Sequence, residues 1–415
     1  MRQPRPVGSR PSPPACPVTR RPGPFSGTRC SAICSSRSRF SGSGSGCRPP
    51  DRSPRAPDAL PGMPSCASPP SSATRSALLD LAREGHRAPI GTHLILHRHA
   101  DRVGILRDGE RLGAVIAEAA DHFRTPLAMP LMDLTIEKEA LLGAFGIPAA
   151  EAATYHFETP PGPCAAPSIE QRMRVACDAI RAVAPRGDLV PMGMGIGPFS
   201  LMTKLVADPI APVFLAGEGT TAADEPEVAV VERCLELGLE WVLAYASAQA
   251  AAGARALILC EPAANLVYFS PHQLAQGWGV FDRYVMEPLR RIKRHLDALG
   301  VELVFHDCGE LTDGMVERFA SLAPAMLSFG SSRLLWEDVA RVPSHTVLYG
   351  NLPTKRFVSG QLDVAEVRRL AADLHARMRD TGHPFILGSE CDVLSVPGSE
   401  RAILEKVEAF LRSTP

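Results

Sequence analysis

From Ser76 onward, short apolar runs alternate with longer amphipathic stretches along the whole chain. Eight runs read as strands: Gly91–Leu96, Pro126–Met132, Leu189–Ile196, Ala256–Cys260, Val301–Phe305, Ala325–Phe329, Thr346–Tyr349 and Pro384–Leu387. They are mostly apolar rather than alternating, which is the pattern of strands buried on both faces. Between them, Gly109–Phe123, Ile169–Val183, Glu225–Ala251, Val280–Leu299, Asp313–Leu322 and Val364–Asp380 carry a helical apolar period. Strand–helix alternation sustained eight times predicts a parallel (β/α)8 TIM barrel over residues 76–415. The competing architecture, an open doubly wound sheet, would want a phosphate-binding loop early in the chain, and none is visible.

Residues 1–75 break this pattern. They hold 12 Arg and no Lys against 2 Asp, together with 16 of the 39 Pro, and include the run Ser41-Gly42-Ser43-Gly44-Ser45-Gly46. No apolar period could build a packed face there, so the segment is expected to be disordered. It reads as a tail without function, a targeting segment, or untranslated sequence ahead of a start at Met63. The formal charge of −1 for all 415 residues therefore averages two unlike parts. Without the tail, 32 basic residues face 43 acidic ones, which argues against nucleic acid as a partner. No run approaches the roughly 20 apolar residues of a membrane span. Cys16, Cys30, Cys34, Cys47 and Cys66 lie in the tail, and the six remaining Cys are widely scattered. Reduced thiols in a cytoplasmic protein are the expectation.

In such a barrel, reactive side chains gather where strands enter their following loops. The predicted strand exits carry Asp133, the Gly193–Gly197 run, Glu261, His306-Asp307-Cys308, Asn351 and Glu390-Cys391. If the fifth strand continues to Cys308, a spacing of two sets the imidazole and the thiol on one side, and Gly309 lets the chain turn away. Cys391 at another exit could complete a Cys2His set with an open fourth position, the arrangement of a catalytic zinc. Taken alone, H-x-C recurs by chance, and buried thiols beside a hydrogen-bonded imidazole are the simpler reading. Gly193, Gly195 and Gly197 lack the lysine of a phosphate loop. They suggest close backbone approach to a bound molecule, or a tight turn. Asp133 and Glu261 suit acid–base work or helix capping. His93, His97, His99 and His122 form a metal cluster by count only.

These residues together resemble the uroporphyrinogen decarboxylase superfamily of TIM barrels. The likeness rests on Met132-Asp133-Leu134-Thr135 followed by Ala144-Phe145-Gly146, on Gly197-Pro198-Phe199, on Glu261-Pro262 with Ser270-Pro271, and on Tyr349-Gly350-Asn351-Leu352. The decarboxylases of that group open with R-Q-A-G-R-Y and carry G-H-G at the eighth strand. Here those positions read Leu96-His97-Arg98-His99-Ala100 and Gly388-Ser389-Glu390-Cys391, although Asp133 falls where their essential aspartate stands. The cobamide-dependent methyltransferase branch carries H-x-C and a later Cys, which His306, Cys308 and Cys391 match.

The resemblance therefore implies Zn2+ on His306, Cys308 and Cys391. It further implies methyl transfer from a methylcobamide, carried by a corrinoid protein or as free methylcobalamin, to coenzyme M or another small thiol. A carrier such as tetrahydrofolate is an alternative acceptor. Asp133, Glu261 and Asn351 become the candidate catalytic residues, and Gly195, Gly197 and Tyr268 the candidate cofactor contacts. Glu261 or Glu390 is a candidate fourth ligand, or a partner that orients His306. An anionic acceptor would need a cation, for which Arg98, Arg333, Lys355 and Arg356 qualify by loop position. Uroporphyrinogen decarboxylation and a non-catalytic corrinoid- or tetrapyrrole-binding barrel are the alternatives.

Overall fold

The computed structural model describes residues 72–358 and 360–413. The sequence-predicted tail thus lies outside the described residues, except that its boundary moves. Ser72 caps a helix over Ala73–Arg83, its side chain accepting from the Arg75 N–H, so Ser72 to Arg75 belong with the barrel.

Eight parallel strands follow: β1 Arg87–Ala88, β2 Leu127–Ala128, β3 Val190–Ile196, β4 Ala256–Cys260, β5 Glu302–Asp307, β6 Met326–Phe329, β7 Val347–Leu352 and β8 Phe385–Ser389. Their order is β1-β8-β7-β6-β5-β4-β3-β2, the sequential ladder of a (β/α)8 barrel. Side chains join the two ends of the ladder. His86 Nε2 meets Thr125 Oγ1 at 3.0 Å, and Thr92 Oγ1 donates to the Met129 carbonyl at 2.6 Å.

Six of the eight expected strands stand where the apolar runs put them, and a seventh, Pro126–Met132, is cut to the two residues of β2. The expected strand Gly91–Leu96 instead holds a short helix, Thr92–Leu96, and β1 lies just before it. Thr92, Leu94, Ile95 and Leu96 are all buried. A brief run that is apolar on every side fits a buried helical turn as well as a strand, and periodicity alone does not separate the two.

Alternation along the strands divides the apolar residues into two sets. Leu257 and Leu259 of β4 and Leu303 and Phe305 of β5 face the surrounding helices. Met192, Met194, Ile258, Val304, Met326 and Ile386 fill the barrel interior. Tyr349 also points inward and donates to the Ala88 carbonyl at 2.8 Å, and Gly388 leaves its ring room, since a Cβ there would lie 2.3 Å from it. Leu78 and Ala82 of the first helix belong to the same cluster and close the barrel floor. Arg75 on that helix pairs with Glu302, at the start of β5, at 2.8 Å. It also donates to the carbonyls of Ala323, Pro324 and His345.

Candidate metal centre

The inward face of β5 reads Glu302, Val304, His306, from the floor to the mouth. His306 is 1% exposed and its Nδ1 lies 2.9 Å from Ser328 Oγ, which pairs with it in register on β6. That hydrogen bond fixes the ring and turns Nε2 toward the mouth, where it has no hydrogen-bond partner. Below it the barrel is lined by Met129, Met192, Ile258, Val304 and Met326, an apolar floor.

The next two residues form a turn. Asp307 points away from the interior and its Oδ1 accepts from the Gly309 N–H at 2.8 Å, while Gly309 lies so close to Asn265 that a Cβ would come within 2.4 Å of it. The turn leaves Cys308 half-buried beside His306. Cys391, just past β8, approaches from across the mouth. The donor atoms of His306, Cys308 and Cys391 all lie within 4.8 Å of one another, and no other His, Cys, Asp or Glu among the described residues joins them.

The electrostatics suit a cation. A hydrogen bond with Cys391, helped by His306 and the charge of Lys355, holds the Cys308 thiol well below the usual thiol range. The Cys391 thiol is pushed up by the same neighbour, so the pair keeps a single proton. Burial disfavours the Lys355 ammonium, but the charges of Cys308, Cys391 and Glu390 outweigh that and raise it. Two soft sulfurs and an orphaned buried imidazole nitrogen at this spacing fit the donor set of zinc.

The other sequence-predicted residues lie outside this group of three donors. Glu261 is fully buried and accepts from the Ser200 N–H at 2.5 Å, at the start of the helix Pro198–Leu205. Burial pushes its carboxyl up to about 7 against those hydrogen bonds. Glu390 is likewise committed, with Oε2 accepting from the Ser331 N–H and Oε1 from the Lys355 N–H, each at 3.1 Å. Neither carboxylate joins the ligand set. Asn351 sits within β7 rather than after it, and its Nδ2 donates to the carbonyls of Gly330 and Arg333 at 2.8 Å, tying β7 to the loop after β6. Asp133 has both oxygens engaged, one by the Thr135 N–H and hydroxyl, the other by Arg172.

The glycines of β3 lie against the chain's own side chains. Gly193, Gly195 and Gly197 make room for Gln249, Glu137 and Glu261, each of which would collide with a Cβ. The reason is that β2 pairs with β3 only at Val190 and Pro191. Beyond that point Gln249 accepts from the Met194 N–H at 2.8 Å and donates to the Met194 carbonyl at 3.0 Å, and Glu137 accepts from the Ile196 N–H at 2.9 Å. Two side chains thus complete the edge that a longer β2 would have covered. Tyr268 is half-buried, with its ring edge-on to Phe199 at 5.9 Å, and takes no part in the ligand set.

The early histidines pair with other groups. His93 meets Asp392 at 2.7 Å, His99 meets Glu118 at 2.8 Å, and His97 meets Arg102 at 2.9 Å. Burial works against a charged His93, but Asp392 and Asp133 prevail and raise it. Among the four candidate cations, Arg333 is bound to Asp313 and Asp338 and Arg98 sits beside His122, whereas Lys355 faces the two thiols. Sequence reasoning did not find Ser328. The signal was there, a single hydroxyl in the apolar run Met326–Phe329, but only the register reveals its partner.

Three comparisons bear on this arrangement. The family model for uroporphyrinogen decarboxylase (URO-D) matches residues 115–412. A curated uroporphyrinogen decarboxylase from Methylibium petroleiphilum is 27% identical over 255 residues, which is 58% of this chain and 64% of that relative's length. A solved methyltransferase from Methanosarcina mazei superposes with a TM-score of 0.56 at 15% identity, covering 81% of this chain and 98% of the other. At that identity the likeness speaks for the fold.

Proposed function

The chain belongs to the uroporphyrinogen decarboxylase family, and within it we propose a zinc-dependent methyltransferase that passes a methyl group from a methylated corrinoid to a small thiol. The observation that carries this reading is the convergence of His306 Nε2, Cys308 Sγ and Cys391 Sγ at the barrel mouth, with the imidazole nitrogen buried and otherwise unpartnered. The fold likeness to a methyltransferase is compatible with it.

When bound, zinc would remove the proton of a small thiol and hold its sulfur at the mouth as a nucleophile. The chain's own residues prepare that position. Ser328 orients His306 through Nδ1, and the Asp307–Gly309 turn aims Cys308 back at the mouth. Two thiolates cancel the charge of the cation, and Lys355 sets a positive group beside them for an acceptor that arrives as an anion. The apolar floor offers water no hydrogen-bonding partner beneath the site, which favours a thiol over water as the methyl acceptor. The donor would come from the same side. Val103, Leu106, Val267, Leu334, Val358 and Leu394, all on loops or short helices that follow strands, are exposed and offer an apolar rim to a corrinoid protein or to free methylcobalamin.

Uroporphyrinogen decarboxylation is the second reading, favoured by the curated relative. It requires an available Asp133, and in this chain Arg172 and Thr135 occupy that carboxylate. Elemental analysis of the purified chain separates the two. About one equivalent of zinc, lost in Cys308→Ser and Cys391→Ser, is expected. Less than about half an equivalent, unchanged by those substitutions, sinks the methyltransferase. Demethylation of methylcobalamin by a panel of thiols then distinguishes an enzyme from a non-catalytic binder. Turnover of uroporphyrinogen that is lost in Asp133→Asn and indifferent to zinc would establish the decarboxylase.

A further inference from the structure

We infer that Met132 supplies a fourth, displaceable sulfur ligand to this metal centre, an inference that rests on the zinc reading above. The Met132 thioether lies 3.8 Å from Cys391 Sγ. Two sulfurs each about 2.3 Å from a tetrahedral zinc are separated by about 3.8 Å, so this contact has the length of one edge of the coordination tetrahedron. Met132 is half-buried at the exit of β2 and packs against the interior cluster, so its sulfur stands at the mouth with the other donors.

The carboxylates are engaged elsewhere or out of reach. Both oxygens of Glu390 accept backbone N–H groups, and Asp133 is held by Arg172 and Thr135. Glu261 keeps one oxygen on the Ser200 N–H and leaves the other without a partner, yet it does not reach the three donors. No further His, Cys, Asp or Glu among the described residues reaches the three ligands. That leaves a thioether as the donor at hand.

Its chemistry suits a resting ligand. Two thiolates already neutralise the cation, and a carboxylate in the fourth position would add a negative charge that an incoming thiolate must expel. A thioether is neutral, soft and weakly held, and its unbranched side chain can swing away. When the acceptor thiol enters, the bond to the Met132 sulfur breaks, one to the acceptor sulfur forms, and the thiol proton leaves to solvent. The count of sulfur ligands stays at three.

Selenomethionine labelling of the full chain tests this, because selenium then marks all 12 Met and only a ligand shows at the metal. X-ray absorption at the zinc edge of the zinc-loaded protein should show one selenium neighbour. That neighbour should vanish in Met132→Leu, which keeps about one equivalent of zinc, and on saturation with 2-mercaptoethanol. Bound zinc without a selenium neighbour, or a selenium neighbour that survives Met132→Leu, overturns the fourth ligand while the methyltransferase reading stands. Selenium retained under saturating thiol overturns its displaceable role. Absence of bound zinc overturns both readings. As a second measurement, chelator competition should find zinc up to about tenfold weaker in Met132→Leu, and equal affinity counts against the bond.

Discussion

At the scale of single residues, the centre depends on partners that its ligands alone do not name. Ser328 holds the His306 ring by Nδ1, and an outer hydrogen bond of that kind typically contributes tenfold to hundredfold in metal affinity. Ser328→Ala should therefore bind zinc weaker by that factor with the fold intact, measured by chelator competition and circular dichroism. Glu137 shows the opposite economy, a carboxyl kept for its shape. Burial pushes it up to about 8 against the Ile196 N–H it accepts from, so the folded chain holds a proton there that the unfolded chain has released by pH 7. With the folded value above the unfolded one, this group's contribution is fully present below about pH 4.5 and is lost as pH rises toward 8. Glu137→Gln should flatten the fall in stability between about pH 5 and 8 by on the order of 1–3 kcal/mol. Denaturation midpoints across that range would check it, and a slope identical to the parent would count against the buried acid.

At the scale of elements, the short β2 shapes the neighbouring strand. Met194 and Ile196 need partners on the side that β2 leaves open, and Gln249 on the helix Pro226–Ala251 reaches through the gap at Gly193 to bond both polar groups of Met194. Gln249→Leu would orphan a buried N–H and a buried carbonyl, at about 1–3 kcal/mol each. A loss of about 2–4 kcal/mol in urea denaturation is expected, against less than about 1 kcal/mol if the contact is incidental. The strands β3 to β8 and the helix Gly109–Phe123 were legible in the chain because their apolar periods are long and clear. β1 was not, since Arg87–Ala88 is too short to carry a period and the apolar run after it belongs to a helix. The same limit explains Gly195 and Gly197. A glycine in a strand announces that something comes close, but not whether it is a ligand or the chain's own Glu137 and Glu261.

At the scale of the molecule, the first helix closes the barrel floor opposite the metal centre. Arg75 and Glu302 are both buried, and Arg75→Met would leave the carboxylate with the Ser72 hydroxyl at 2.5 Å as its remaining side-chain partner. Stability should fall by about 3–5 kcal/mol, read from the thermal or chemical midpoint, without loss of zinc in the protein that remains folded. The sequence by itself determined the barrel, because apolar strands alternating with amphipathic helices leave few other ways to bury both faces of a parallel sheet. It also determined the types and order of the soft donors His306, Cys308 and Cys391. Tertiary structure alone decided that they meet. β5 and β8 are not neighbours in the sheet, so Cys391 reaches Cys308 only across the closed mouth, a distance that spacing along a chain does not encode. It alone decided as well which polar residues stay out of the centre, since Glu390 and Asp133 bind backbone, threonine and arginine partners brought to them by the fold, and Glu261 is turned toward the Ser200 N–H and away from the three donors.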